Sequence, residues 1–225
     1  MITKEEIFND HEKFKGLVRI IAHLMGDGCV SKKYFAYYNK NNTLLENFEK
    51  DVQFVFGNIH FIKGTMKHGV SYVMVQNKPI FDFLKSIVED YRSFSIKIPE
   101  FVNSKELQKE FISALYDDEG SAPLRIFKKT NEIKRNVSLS SNSLIIIEQI
   151  KNIFLKEFGI STNKISKNTR LRNSKILTNY VLNITGKENL EKFREYIGFK
   201  HPEKSAKLDL MLNSYIRLKT QNRKA

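Results

Sequence analysis

The sequence has no tryptophan, a single cysteine, and no apolar run of 18 residues, the length at which a membrane-spanning helix becomes a candidate. The lone thiol, Cys29, excludes an internal disulfide framework and a cysteine-rich zinc site. The opening MITKEEIF has neither a secretory apolar core nor a transit-peptide bias. The expectation is a soluble intracellular protein, cytoplasmic or nucleoid-associated, with no membrane partner. No Gly/Ser linker or low-complexity tract interrupts the 225 residues. With 41% apolar and 12% aromatic residues, the chain is not wholly disordered. It is long enough for one large domain or two small ones sharing a core.

Acidic residues are also scarce, but only in one half. Residues 1–100 carry 14 basic and 12 acidic groups, whereas residues 120–225 carry 22 and 8. Such an excess attracts polyanions, of which duplex DNA and folded RNA are the commonest large ones. Lysines scattered over an ordinary soluble surface would give the same total.

The chain repeats itself. Thr43–Phe56 has apolar residues at helical spacing and is followed by Gly57, a candidate C-cap; Ser143–Phe158 and Gly159 repeat the arrangement. Polar stretches precede both helices. Downstream, Tyr72–Val75 answers Tyr180–Ile184, and the short helices Ile80–Val88 and Glu188–Tyr196 follow. Each half then presents a lysine near a proline, at Lys97-Ile98-Pro99 and Lys200-His201-Pro202, where the proline stiffens the turn. Each half therefore reads α-β-β-α-β-β-α. Candidate strands are 32–38, 59–63 and 70–75, then 124–129, 136–140, 164–170 and 179–184; residues 204–219 read as a last helix. The halves, 1–100 and 101–225, are expected to pack as one pseudo-symmetric body.

Strands rich in Lys, Asn, Ser and Tyr predict sheets with one packed and one wet face. A wet basic face suits a DNA major groove, which admits a β-ribbon, though it also suits any half-exposed antiparallel sheet. The side chains offered to a nucleic acid are Lys32, Lys33, Tyr37, Lys40, Lys63 and Lys67 in the first half. In the second they are Arg125, Lys128, Lys129, Lys134, Arg135, Lys167, Arg170, Arg172 and Lys175.

Each half opens with an apolar helix ending in acid-glycine: Leu17 to Asp27-Gly28, and Glu110 to Glu119-Gly120. The acids stand 92 residues apart, in register with the repeat. Ala22 and Gly26 lie on one helix face, and Ala114 repeats Ala22, so two such helices can approach closely. Packed side by side and parallel, they bring their terminal carboxylates together. A carboxylate at a helix C-terminus faces an unfavourable dipole, and a second one adds repulsion. A divalent cation would relieve both, and hard oxygen ligands suit Mg²⁺.

With both motifs in place, Ile20–Gly28 and Ile112–Gly120, the chain resembles the LAGLIDADG homing endonucleases of the single-chain, two-motif kind, especially archaeal intron-encoded and intein-associated members. The resemblance extends over essentially the whole chain. It implies an α+β fold: a duplicated αββαββα unit about a pseudo-twofold axis, with two saddle-shaped antiparallel sheets over duplex DNA. It implies a monomeric, Mg²⁺-dependent endonuclease, with Mn²⁺ as a substitute, that cuts both strands of a long asymmetric site and leaves short 3′ overhangs. Such cutting initiates mobility of an intron or intein. By position, Asp27 and Glu119 are the metal ligands, assisted by the backbone carbonyls of Gly26 and Asp118. Lys97 matches a lysine near a scissile phosphate; its counterpart is Lys200 by the internal repeat and Lys204 by the family pattern. Asn39 and Ser140 match polar strand positions that orient active-site water.

Two residues depart from the motif. His23 replaces an aliphatic residue and reads as a helix-face histidine packed under the sheet. Asp118 stands where Gly or Ala is usual, so either the helices separate there or the carboxylate joins the acidic cluster. Asp117 is expected to cap the helix or face a basic group. The chain opens with Met1 and closes with Gln221-Asn222-Arg223-Lys224-Ala225, lacking a nucleophilic first residue and a terminal His-Asn. Self-splicing is therefore not expected. The competing function is an intron RNA maturase or a non-cleaving nucleic-acid-binding regulator on the same scaffold.

Overall fold

The computed structural model describes residues 3–127, 132–172 and 175–221. It divides into two compact units, Met1–Asp118 and Glu119–Ala225. No helix among the described residues is long and apolar enough to cross a membrane.

The first unit begins with α1 (Lys4–Asn9), closed by a Thr3/Glu6 capping box. Asp10 then caps α2 (His11–Met25) by accepting from the backbone N–H groups of Glu12 and Lys13. The motif helix thus starts well before its apolar stretch at Leu17, on a polar cap that apolar periodicity does not register. It buries Leu17, Val18, Ile20, Ile21 and Leu24. Strands β1 (Gly28–Val30) and β2 (Phe35–Asn39) form a hairpin, so the strand expected over 32–38 is β2, and β1 precedes it as a further strand. Asn41 caps α3 (Asn42–Phe56), and Gly57 ends it. Strands β3 (Ile62–Thr65) and β4 (Ser71–Val75) complete an antiparallel sheet of order β1-β2-β4-β3. Helix α4 (Lys78–Ile87) starts on an Asn77 cap with Pro79 in its first turn.

One sheet face carries Phe35, Tyr37, Val73 and Val75 onto Phe48 and Val52 of α3 and the apolar side of α2. Burying side chains of this size stabilises by about 1.5–3 kcal/mol each. Helix α5 (Lys105–Glu119) follows. Its contacts with α2 advance together along both chains: His11 and Lys15 to Glu106, Arg19 to Glu110, His23 to Asp118. The two motif helices are therefore parallel and side by side, an arrangement the Ala22/Gly26/Ala114 spacing permits. Arg19 adds a bidentate pair with Asp51 of α3, at 2.8 and 2.5 Å.

The second unit repeats this plan with one insertion. Strand β5 (Gly120–Ser121) pairs with β8 (Val137–Ser141), and between them β6 (Leu124–Phe127) and β7 (Glu132–Arg135) form a separate ribbon. Ser143 caps α6 (Leu144–Phe158), and Gly159 ends it in the left-handed conformation. Strands β9 (Ser166–Arg172) and β10 (Lys175–Ile184) give a sheet of order β5-β8-β10-β9, and α7 (Lys187–Tyr196) and α8 (Pro202–Gln221) follow. β10 starts earlier than the expected 179 because its outer end has no packed face. Ile176 is 73% exposed there, so no burial pattern marks that segment. Helices α3 and α6 match residue for residue at an offset of 102, as Asn42 and Leu144 show.

Candidate metal and nucleic-acid site

Gly26 ends α2 by donating its N–H to Ala22 O, and the chain turns at once into β1. That turn leaves Asp27 exposed beyond the helix, while its carbonyl accepts from Tyr38 N–H at 3.2 Å. Asn39, at the end of β2, donates from Nδ2 to Asp27 Oδ2 at 3.2 Å. The orientation of this amide is set by the backbone, since Asn39 Oδ1 accepts from Asn41 N–H at 2.9 Å.

Behind Asn39 lies a buried polar chain. Asn39 Nδ2 also donates to Tyr37 Oη at 3.1 Å, and Tyr37 Oη donates to Asp118 Oδ1 at 2.5 Å. His23 Nδ1 meets Asp118 Oδ2 at 3.0 Å. Tyr37 is 0% exposed and His23 3%, and the Asp118 side chain is wholly covered. Burial pushes the Tyr37 hydroxyl pKa far up, and the charge and hydrogen bond of Asp118 push it further, so the phenol stays a donor. Burial pushes His23 down, but the charge and hydrogen bond of Asp118 outweigh it, helped by Asp117 and Asp51, and the net shift is upward. Asp117 is buried in the last turn of α5.

The Asp118 side chain does not join an exposed acidic cluster: it turns inward, is wholly covered, and packs against Gly26. A methyl group on Gly26 would stand 2.6 Å from Asp118 Oδ2 and 2.8 Å from its Cβ. The glycine's missing side chain is the space the carboxylate fills. Tyr37, read in the sequence as a nucleic-acid contact, is instead the donor that closes this space. Sequence reasoning treats His23 and Asp118 as separate oddities. Two polar residues at positions reserved for apolar ones on paired helices are the available signal, because buried polar groups need partners.

The second unit is built differently at the same place. Gly28 pairs with Tyr37, and Gly120 pairs with Leu139, so Leu139 occupies the Tyr37 position and Ser141 the Asn39 position. Ser141 Oγ accepts from Ser143 N–H at 3.1 Å, repeating the Asn39–Asn41 bond. The residue matched to Asn39 is therefore Ser141. Ser140 lies on the other face, exchanging hydrogen bonds with Asn179 at 3.0 and 2.7 Å. Glu119 closes α5 and leads into β5.

The basic residues are scattered in role. Lys97 is exposed, pairs with Glu89 at 2.8 Å and lines a cleft of about 270 Å³ with Met25, Val88 and Pro99. Its pKa is raised, first by the hydrogen bond to Glu89. Lys200 precedes α8 and Lys204 lies in its first turn. Lys32 and Lys33 are exposed between β1 and β2, Lys40 after β2, and Lys67 between β3 and β4. Lys63 is tied to Glu49 at 2.6 Å. Arg135 is held by Ser214 at 2.6 Å and lies over the Tyr215 ring at 4.3 Å, while its neighbour Lys134 is exposed. Lys167 and Arg170 are exposed on opposite faces of β9. Arg125 pairs in register with Lys134, and Arg172 with Lys175. Lys128 and Lys129 lie outside the described residues.

Residues 106–198 match the family model for a LAGLIDADG-like domain. A glutamine–fructose-6-phosphate aminotransferase of Methanocaldococcus jannaschii is 27% identical over 208 residues, 88% of this chain and 17% of that protein. A probable translation initiation factor IF-2 of the same organism is 28% identical over 208 residues, 89% of this chain and 16% of that protein. A replication factor C small subunit, again from that organism, is 22% identical over 205 residues, 90% and 10%. The chain thus spans at most about a sixth of the length of these relatives. Among solved structures, variants of the homing endonuclease I-DmoI superpose with a TM-score of 0.60 at 16% identity, over 88% of this chain and 98% of that one. I-DmoI in complex with DNA and Ca gives 0.56 at 18%, over 88% and 98%. The N-terminal LAGLIDADG domain of DUF199/WhiA gives 0.56 at 12%, over 87% and 89%.

Proposed function

We propose that this chain, which has the LAGLIDADG homing-endonuclease fold and a LAGLIDADG-like domain over residues 106–198, is a divalent-metal-dependent endonuclease cutting both strands of a specific DNA duplex. One observation carries the reading. In each repeat an acid stands where a helix gives way to a sheet, Glu119 as the last residue of α5 and Asp27 just past the Gly26 cap of α2, and Asp27 is exposed there with its carboxylate held by Asn39.

The donor set suits a hard cation. Last-turn helix carbonyls have no intrahelical donor to accept from, so Gly26 and Asp118 carbonyls and the Asp27 and Glu119 carboxylates would hold Mg²⁺ or Mn²⁺. No group of three His, Cys, Asp or Glu gathers among the described residues. An all-oxygen donor set suits an ion that keeps several waters and takes substrate phosphate as a ligand. When bound, the ion supplies water activation and stabilises charge on the cleaved phosphodiester. Asn39 holds the Asp27 carboxylate in place. Lys97, with Lys200 or Lys204 from the other repeat, would face phosphate oxygens.

I-DmoI, which shares the fold, is named a homing endonuclease and has been solved with DNA and Ca, and as a variant with its target DNA and Mg. Three relatives with unrelated names share one segment of 205 to 208 residues. A segment indifferent to its host's activity is what an intein-borne mobile element would leave, which supports a role in mobility. Because both acids lie in one chain, the enzyme would act as a monomer.

The test is Mg²⁺-dependent cleavage of a randomised duplex library, run beside Asp27→Asn and Glu119→Gln. A discrete site cut by the wild type and by neither variant is expected. Tight, metal-independent binding of a particular duplex or intron RNA without cutting would shift the reading to a maturase or a regulator.

A further inference from the structure

The polar chain ending on Asp27 has a fixed direction. His23 and Tyr37 donate to Asp118, Tyr37 accepts from Asn39, and Asn39 spends its other amide proton on Asp27. Asn39 cannot turn over without losing the Asn41 N–H. Tyr37 is packed between the rings of His23 and Phe48, with centroids 4.7 and 5.0 Å away. Asp118 fills the space above Gly26. His23, Tyr37 and the Asp118 side chain are covered, Asn39 is half-buried, and the exposed end is the Asp27 carboxylate. The matching place in the second unit has Leu139, which has no hydroxyl to continue such a chain.

From this geometry we infer that His23, Tyr37 and Asp118 are positioning residues, acting through Asn39 to hold the Asp27 carboxylate in one rotamer for a divalent cation. This rests on the metal reading above. Asp118 then has two separate parts in the protein: its backbone carbonyl belongs to the ligand set, and its side chain belongs to the support behind Asp27. Groups that orient a metal ligand typically change affinity or activity by about 10–100-fold when removed.

The probe is Mn²⁺ alone, titrated into the full chain and followed as free ion by electron paramagnetic resonance, so that no target DNA is needed. The wild type should bind Mn²⁺ at a site that Asp27→Asn removes. Tyr37→Phe keeps the ring and its packing but loses the hydroxyl, and should weaken that site by about 10–100-fold. Asn39→Ala should do the same, and the double variant should be no weaker than the weaker single, because both act through one bond. Asp118→Asn, which still accepts from Tyr37, should stay nearer the wild type than Asp118→Ala. A Tyr37→Phe variant with a lower melting temperature and unchanged Mn²⁺ affinity would overturn the inference and leave the metal reading standing. A wild type with no Mn²⁺ site sensitive to Asp27→Asn would overturn both.

Discussion

The two units build the same strand-to-helix corner with different chemistry. In the first, Asn39 accepts a backbone N–H two residues on and also joins a buried chain to Tyr37, Asp118 and His23. In the second, Ser141 makes the same backbone bond and stands beside Leu139. What both keep is the side-chain acceptor at the corner and the polar N-cap that follows, Asn41 or Ser143. Those features fix how a strand feeds a helix. The polar chain is an addition to one copy, made possible by Gly26 and completed by Asp118.

The largest expected difference follows from burial. Asp118→Ala removes the acceptor shared by His23 and Tyr37 and leaves both covered; breaking a buried hydrogen-bonded charge pair typically costs about 3–5 kcal/mol. Ser141→Ala removes one neutral bond, worth about 1 kcal/mol. Denaturant unfolding should separate the two, and equal costs would mean that the chain contributes no special support. The pH dependence gives an independent reading. His23 has its folded pKa raised above 6.5, so its contribution is fully present below that pH and is lost as pH rises through the folded value. Asp118→Ala should remove that decline.

A smaller effect tests whether Gly26 and Asp118 form one unit. Gly26→Ala puts a methyl group against Asp118 and should cost about 1–3 kcal/mol by overpacking. In an Asp118→Ala background the space is open, and the same substitution should cost little. Additive costs would show that the fit is incidental.

The contrast also explains what is legible in the sequence. The duplication, the motif helices and the packed strands are readable because each leaves a periodic apolar pattern: Leu44 to Val52 repeated by Ile146 to Phe154, Val73 and Val75 by Leu182 and Ile184. Asp27 and Glu119 are readable as the acids at the ends of two repeated apolar helices. Strand β6 is readable within the expected 124–129, but β7 and the outer end of β10 are not, since pairing without burial leaves no periodic signal. Matching Ser140 to Asn39 is one residue out of register, and in a strand one residue changes the face. Tyr37 is misplaced for a related reason. A tyrosine fits a wet groove or a buried hydrogen bond equally well, and only a partner on a helix 81 residues away decides between them.

The smallest effect concerns charge and requires only a non-specific 30-bp duplex of random sequence. The first unit commits cations to its own carboxylates, with Lys63 on Glu49 and Lys97 on Glu89. The second carries exposed Lys167 and Arg170 in a segment with 22 basic and 8 acidic residues. A cation paired within the protein gains less from displacing counterions on DNA than one facing solvent. Neutralising Lys167 and Arg170 to Gln should therefore reduce the slope of log affinity against log salt by about 0.9 for each phosphate that the protein no longer neutralises. The same change at Lys63 and Lys97 should reduce it by less, because lysines already paired with Glu49 and Glu89 neutralise fewer phosphates to begin with. Equal reductions from the two pairs would show that the uneven charge of the halves does not translate into uneven grip on DNA.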